Sequence, residues 1–162
     1  MIACRNFEKG QEGDFLTLYR GCLAHYGIPA ATADQEARII DLLARERHMS
    51  CLMAYDGDAP LGFATWGLTF PAAAGTALYM KELYVGAPVR GRGVGRALLA
   101  GLLDIAEAEG CVRMDWQTDG SNATAQAFYT AIQAPRHAKK TFRIEACDFV
   151  AFRDNLAPKQ EI

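Results

Sequence analysis

Val89-Arg90-Gly91-Arg92-Gly93-Val94-Gly95-Arg96 is the stretch on which the reading of this chain turns. It lies between an extended apolar run, Ala77 to Val85, and an amphipathic run, Ala97 to Glu109. Closely spaced glycines let several backbone N–H groups converge without side-chain obstruction, and the first turn of a following helix leaves its own N–H groups unpaired. A helix N-terminus attracts anions, and Arg90, Arg92 and Arg96 add guanidinium groups enough for a pyrophosphate. A loop that merely turns the chain would explain an isolated glycine pair, but not alternate glycines, arginines and a helix together. Two nucleotide motifs fail on residue identity. The dinucleotide fingerprint G-x-G-x-x-G meets Leu98 when started at Gly93 and Arg96 when started at Gly91, and the segment holds no Lys followed by Ser or Thr as a P-loop requires.

Outward from this loop, periodicity predicts the rest. Ile2 to Phe7 reads as a first strand, and Asp14 to Tyr26 as a helix carrying Phe15, Leu18, Cys22 and Tyr26 and ended by Gly27 and Pro29. Thr32 and Gln35 form a capping-box pattern ahead of a second helix with Ala37, Ile40, Ala44 and Arg47 on one face. Cys51 to Tyr55 and Leu61 to Thr69 read as strands joined by the turn Asp56-Gly57-Asp58-Ala59-Pro60, and the turn Phe70 to Gly75 leads into Leu78 to Val85. That gives an antiparallel meander. The helix after the loop places Val94, Leu98, Leu102 and Ile105 on one face, with Leu99 and Leu103 flanking, and stops at Gly110. Val112 to Trp116 then follows as a strand parallel to the one before the loop. Ser121 or Asn122 caps a helix over Ala123 to Gln133 that buries Ala125, Phe128, Tyr129 and Ile132. Lys139 to Ala146 and Phe149 to Phe152 read as closing strands. The expected fold class is α/β, a single-domain mixed, mostly antiparallel sheet flanked by helices, spanning 1–155 with a short polar tail, 156–162. Its ligand is expected at the carboxyl end of the parallel pair.

Composition bounds the function. With 162 residues, 51% hydrophobic and 22% charged, the chain suits one globular domain. A net charge of −2 supplies no basic field, so nucleic acid is not expected as a partner. Five cysteines, Cys4, Cys22, Cys51, Cys111 and Cys147, are scattered with no C-x-x-C pair, and read as core residues in a reducing compartment. No apolar run approaches the roughly 20 residues that cross a bilayer, and Arg5, Glu8 and Lys9 interrupt any signal-peptide core. A cytoplasmic protein without membrane contact is expected.

The pattern R-x-x-G-x-G, read as Arg90, Gly93 and Gly95 and followed by Arg96-Ala97-Leu98-Leu99, resembles the pyrophosphate loop of the GNAT superfamily of acyl-CoA-dependent N-acetyltransferases. Downstream, Asn122-x-x-Ala125-x-x-Phe128-Tyr129 is similar to that family's N-x-x-A-x-x-F-Y signature, so the resemblance covers about Leu78 to Tyr129. It implies the acyl-CoA N-acyltransferase fold and acetyl-CoA as cosubstrate, with no metal. Leu83, Tyr84 and Val85 would pair with the pantetheine arm as an added strand. Arg90, Gly91, Arg92, Gly93, Val94, Gly95 and Arg96 would take the pyrophosphate. Asn122 either contacts the pantetheine or simply caps the helix that carries Tyr129. Family members often dimerise, and Phe149, Val150 and Phe152 suit either a homodimer contact or a core.

Acetyl transfer to an amine needs a base to remove the amine's proton, a donor for the developing oxyanion and a proton for the departing thiolate. The resemblance makes Tyr129, otherwise a core aromatic, the general acid that serves the thiolate. The backbone N–H of Leu83 or Val85 is the oxyanion donor. Glu82, beside the pantetheine segment, is the candidate base, directly or through a water; its alternatives are a substrate contact or a surface acid. His25 and His137 are rivals without a motif. The layout looks most like the spermidine/spermine N-acetyltransferase branch, which implies a small primary amine. Asp34, Glu36, Asp41 and Glu82 are candidate partners for ammonium groups, Tyr26 or Trp66 candidate cation–π faces; the acids Asp34, Glu36 and Asp41 equally suit a solvated helix face. Two departures count against a polyamine. Lys81 stands where that branch commonly has an acid, and Ile132-Gln133-Ala134-Pro135 replaces its usual ending. Amino acids, other primary amines and protein lysines stay open, as does a non-catalytic acyl-CoA-binding module.

Overall fold

The computed structural model describes residues 1–46, 48–71 and 75–156. Arg47, the middle of the turn before the third meander strand, and all of the expected tail except Leu156 lie outside them. The chain separates into two compact units, Met1–Thr118 and Asp119 onward.

The first unit is built on a five-stranded sheet in the order β1-β2-β3-β4-β5. Its strands are β1 (Ile2–Asn6), β2 (Ser50–Asp56), β3 (Ala59–Thr69), β4 (Ala77–Val85) and β5 (Arg113–Trp116). The first four pair antiparallel, and β5 runs parallel to β4, as the strand–helix–strand order predicts. Between β2 and β3 only Gly57 and Asp58 turn the chain, with Gly57 at φ 60°. Cys51 through Tyr55 and Leu61 through Trp66 are all buried, because both faces of the sheet are covered.

One face packs on α1 (Glu12–His25), where Phe15, Leu18 and Cys22 meet Cys51, Met53, Tyr55, Phe63 and Tyr84. Phe15 lies at its centre, its ring 5.1 Å from Phe63 and 5.8 Å from both Phe7 and Tyr19. Ile39, Ile40 and Leu43 pack on the same cluster. They come from α2 (Ala33–Ile40) and from the π-helical turn Asp41–Arg45 that extends it. The capping box read at Thr32 and Gln35 forms in both directions, with Thr32 N–H donating to Gln35 Oε1 at 2.9 Å and Gln35 N–H to Thr32 Oγ1 at 3.3 Å.

The opposite face packs on α3 (Val94–Ala108), which buries Val94, Leu98, Leu99, Leu102 and Ala106. Ile105 is half-buried and Leu103 is exposed, so the stripe turns slightly from the expected one. A Cβ on Gly62 would stand 2.5 Å from the Tyr84 carbonyl oxygen, so the bare residue lets β3, β4 and Val94 close up. Of the cysteines, Cys22 and Cys51 are core residues; Cys4 and Cys111 are half-buried and Cys147 is exposed. No helix among the described residues is long and apolar enough to cross a membrane.

The second unit holds α4 (Ala123–Ala131) and α5 (Phe149–Asn155). Two expectations are corrected there. Ala125, Phe128, Tyr129 and Ile132 are half-buried rather than buried. Lys139 to Ala146 forms no strand: it is irregular up to the short 3-10 turn Ala146–Asp148, and Phe149 to Phe152 opens α5. Phe142 and Ile144 do alternate, but a strand needs a neighbouring ladder, and among the described residues this run has none. Phe149, Phe152 and Leu156 recur at helical spacing, a period that the short apolar cluster concealed. Gln133, just past α4, sits at φ 56°, a left-handed position where glycine is the relaxed residue.

Candidate active site

The glycine loop owes its shape to two residues. Gly91 and Gly93 adopt φ 77° and 88°, which a side chain would strain, and Gly93 is the N-cap of α3. Having no side chain, Gly93 leaves the N–H groups of the first turn facing outward, and the first intrahelical bond runs from Ala97 N–H to Gly93 O at 3.0 Å. Gly91, Arg92, Gly93 and Arg96 are exposed, Gly95 is half-buried, and Val94 anchors the turn in the core. The three arginines divide. Arg90 turns back, donating from Nε to the Val85 carbonyl at 3.1 Å with its guanidinium 5.9 Å from the Tyr84 ring. Arg92 approaches Asp56 at 3.8 Å. Among the described residues Arg96 makes no ion pair.

β4 presents an open edge beside this loop. Its ladder with β5 stops at Met80↔Trp116, five residues before β4 ends. Toward β3, Tyr84 O lies against Gly62, and Gly86 N–H donates to Leu61 O at 2.9 Å. Strand alternation therefore turns the N–H and C=O of Leu83 and Val85 to the open side. Among the described residues they have no sheet partner there, apart from the Arg90 bond to the Val85 carbonyl. The Tyr84 side chain goes inward instead, its hydroxyl 2.6 Å from where a Cβ on Gly21 of α1 would stand.

Glu82 lies one residue before this edge, in a kink. Thr65 pairs with Glu82 and Trp66 with Met80, so Lys81 is the extra residue of a β-bulge. Glu82 N–H donates to Thr65 Oγ1 at 3.1 Å. The Glu82 side chain falls on the α1 face and is half-buried; burial raises its pKa and Lys81, with Nζ 3.9 Å from Oε1, opposes the rise. Facing it from α1 and its C-cap are Tyr19, Cys22 and Tyr26, one helical stripe. Burial raises all three, and the Glu82 charge adds to the rise in each, which places the carboxylate in electrostatic reach of them. Cys22 is pushed up to about 12, a thiol rather than a nucleophile.

The other expected acids are engaged differently. Glu36 is gripped by Arg20 through bonds of 2.7 and 2.6 Å, Asp41 pairs with Arg45 at 3.1 Å, and Asp34 is exposed. His25 and His137 are exposed, the His25 ring 6.4 Å from that of Tyr84. Trp66 is no open aromatic face: it is buried, and alternation from Thr65 puts it on the sheet face opposite Glu82. In the second unit Asn122 caps α4, its Oδ1 accepting from Ala125 N–H at 3.0 Å, and the Phe128 and Tyr129 rings lie 5.3 Å apart. Sequence reasoning missed Tyr19, which reads as one more aromatic in an amphipathic helix, and the bulge, for which the sequence carries no signal.

Comparison with known proteins identifies the family and the fold. A family model described as acetyltransferase (GNAT) family matches residues 14–133. A thialysine N-epsilon-acetyltransferase of Caenorhabditis elegans is 27% identical over 106 residues, an alignment spanning 63% of this chain and 66% of that relative. A solved integron cassette protein from the mobile metagenome of V. cholerae superposes with a TM-score of 0.80 at 27% identity, covering 94% of this chain and 97% of the other. An aminoglycoside N-acetyltransferase solved with CoA shares the fold at a TM-score of 0.75 and 16% identity, covering 91% and 96%.

Proposed function

Because the chain belongs to the acetyltransferase (GNAT) family, we propose that it moves an acetyl group from acetyl-CoA to a primary amine of a small molecule. The observation that carries the reading is the open β4 edge running directly into the glycine loop. An extended pantetheine arm can add to such an edge as a further strand, and a pyrophosphate suits the amides at the start of α3. Acetyl-CoA supplies the activated thioester.

The residues divide the work. Glu82, whose pKa burial raises and the Lys81 charge opposes, takes the proton from the acceptor ammonium, directly or through a water. The N–H of Leu83 or Val85 steadies the negative charge that develops on the carbonyl oxygen. Tyr129 gives a proton to the departing thiolate, a role that rests on its place in the Asn122 to Tyr129 motif. Asn122 holds the start of that helix. The thialysine relative supports an amino-acid-like acceptor and the aminoglycoside enzyme an amine-bearing small molecule. Five free cysteines support a cytoplasmic setting, and exposed Phe149, Val150 and Phe152 support a homodimer contact.

The test is acetyl-CoA consumption over a panel of polyamines, amino acids, aminoglycosides and lysine peptides. Tyr129→Phe should lower turnover by about 10²-fold while acetyl-CoA affinity stays nearly constant. Unchanged turnover removes Tyr129 from the acid role. Acetyl-CoA binding without turnover of any amine favours the non-catalytic module.

A further inference from the structure

In a regular strand neighbouring side chains point to opposite faces, yet Lys81 Nζ stands 3.9 Å from Glu82 Oε1. The bulge is the cause: two residues of β4 oppose Thr65 alone, which brings the ammonium to the side of the carboxylate. We propose that Lys81 is a specificity-determining residue that selects an acceptor amine carrying a carboxylate, of the diamino-acid class, over a polycation. The inference rests on the acetyl-transfer reading above.

The balance of charge argues for it. Glu82 is the carboxylate available to the reacting ammonium, since Glu36 is held bidentately by Arg20. Burial raises the neighbouring Tyr19, Cys22 and Tyr26, and the Arg90 charge, held at the Val85 carbonyl, opposes the rise at Cys22 and Tyr26. Once an incoming ammonium pairs with Glu82, the Lys81 charge, more than half exposed on a flexible four-carbon stem, is left for an anion. A polycation meets it as a like charge, which is discrimination by repulsion as well as by attraction.

L-Lysine and 1,5-diaminopentane have the same reach and differ in the carboxylate, so they are the probes. With the full chain and acetyl-CoA, kcat/KM should favour lysine by about tenfold, the worth of one charge-assisted contact. Lys81→Met should lower the value for lysine through KM and raise it for the diamine, and Lys81→Arg should restore the preference. Lys81→Met should also move the acidic limb of the pH profile upward, because the Lys81 charge no longer opposes the rise at Glu82. A wild-type protein that acetylates the diamine as well as lysine, or a Lys81→Met protein that changes both alike, overturns the proposal. Turnover of other amines with lysine refused overturns it alone, whereas no turnover of any amine in the panel overturns the acetyl-transfer reading with it.

Discussion

Glu82 shows how much one residue's task depends on its surroundings. An exposed strand glutamate ionises in the ordinary carboxylate range, but burial raises this one, against the opposing charge of Lys81. A base works only when deprotonated, so kcat/KM should climb with pH through a limb lying above the usual carboxylate range. Glu82→Gln should remove that limb and lower turnover by about 10²-fold, measured as a pH–rate profile. A limb that survives the substitution belongs to another group. The identity of Glu82 as a candidate was legible from its place before the glycine loop; its raised pKa was not, because Tyr19 and Cys22 reach it from a helix some sixty residues earlier in the chain.

Elements whose signals are local were read correctly. The capping box of α2, the Asp-Gly turn between β2 and β3 and the Val94, Leu98 and Leu102 line of α3 are each specified by residues a few positions apart. The glycine loop belongs with them. Gly93→Ala, forcing a side chain into φ 88° at the α3 N-cap, should cost about 1 kcal/mol in thermal unfolding and weaken acetyl-CoA binding measured by calorimetry. Undiminished binding would remove the loop from the pyrophosphate site. The C-terminal elements misled for the complementary reason. The alternation at Phe142 and Ile144 describes what a strand requires of its side chains, but a strand also requires a ladder that other residues supply.

At the scale of the whole molecule, the first unit is a sheet with two separate apolar layers, Phe15 at the centre of one and Leu102 of α3 in the other. Phe15→Leu and Leu102→Val should each cost about 1 kcal/mol, and the double variant should lose their sum to within about 0.5 kcal/mol in denaturant unfolding, since the sheet separates the sites. A larger coupling would mean that the two layers communicate through the strands. By itself the sequence determined the order of elements through β5 and α4, the glycine loop at the start of α3 and the motif ending at Tyr129, because caps, turns and positive-φ glycines act between near neighbours. Only the tertiary structure decided that Lys81 bulges out beside Glu82, that β5 leaves β4 at Met80, and that Trp66 lies buried on the far face. Each of those depends on the register between strands that meet only when the sheet assembles, and register is a property of the pairing rather than of either strand alone.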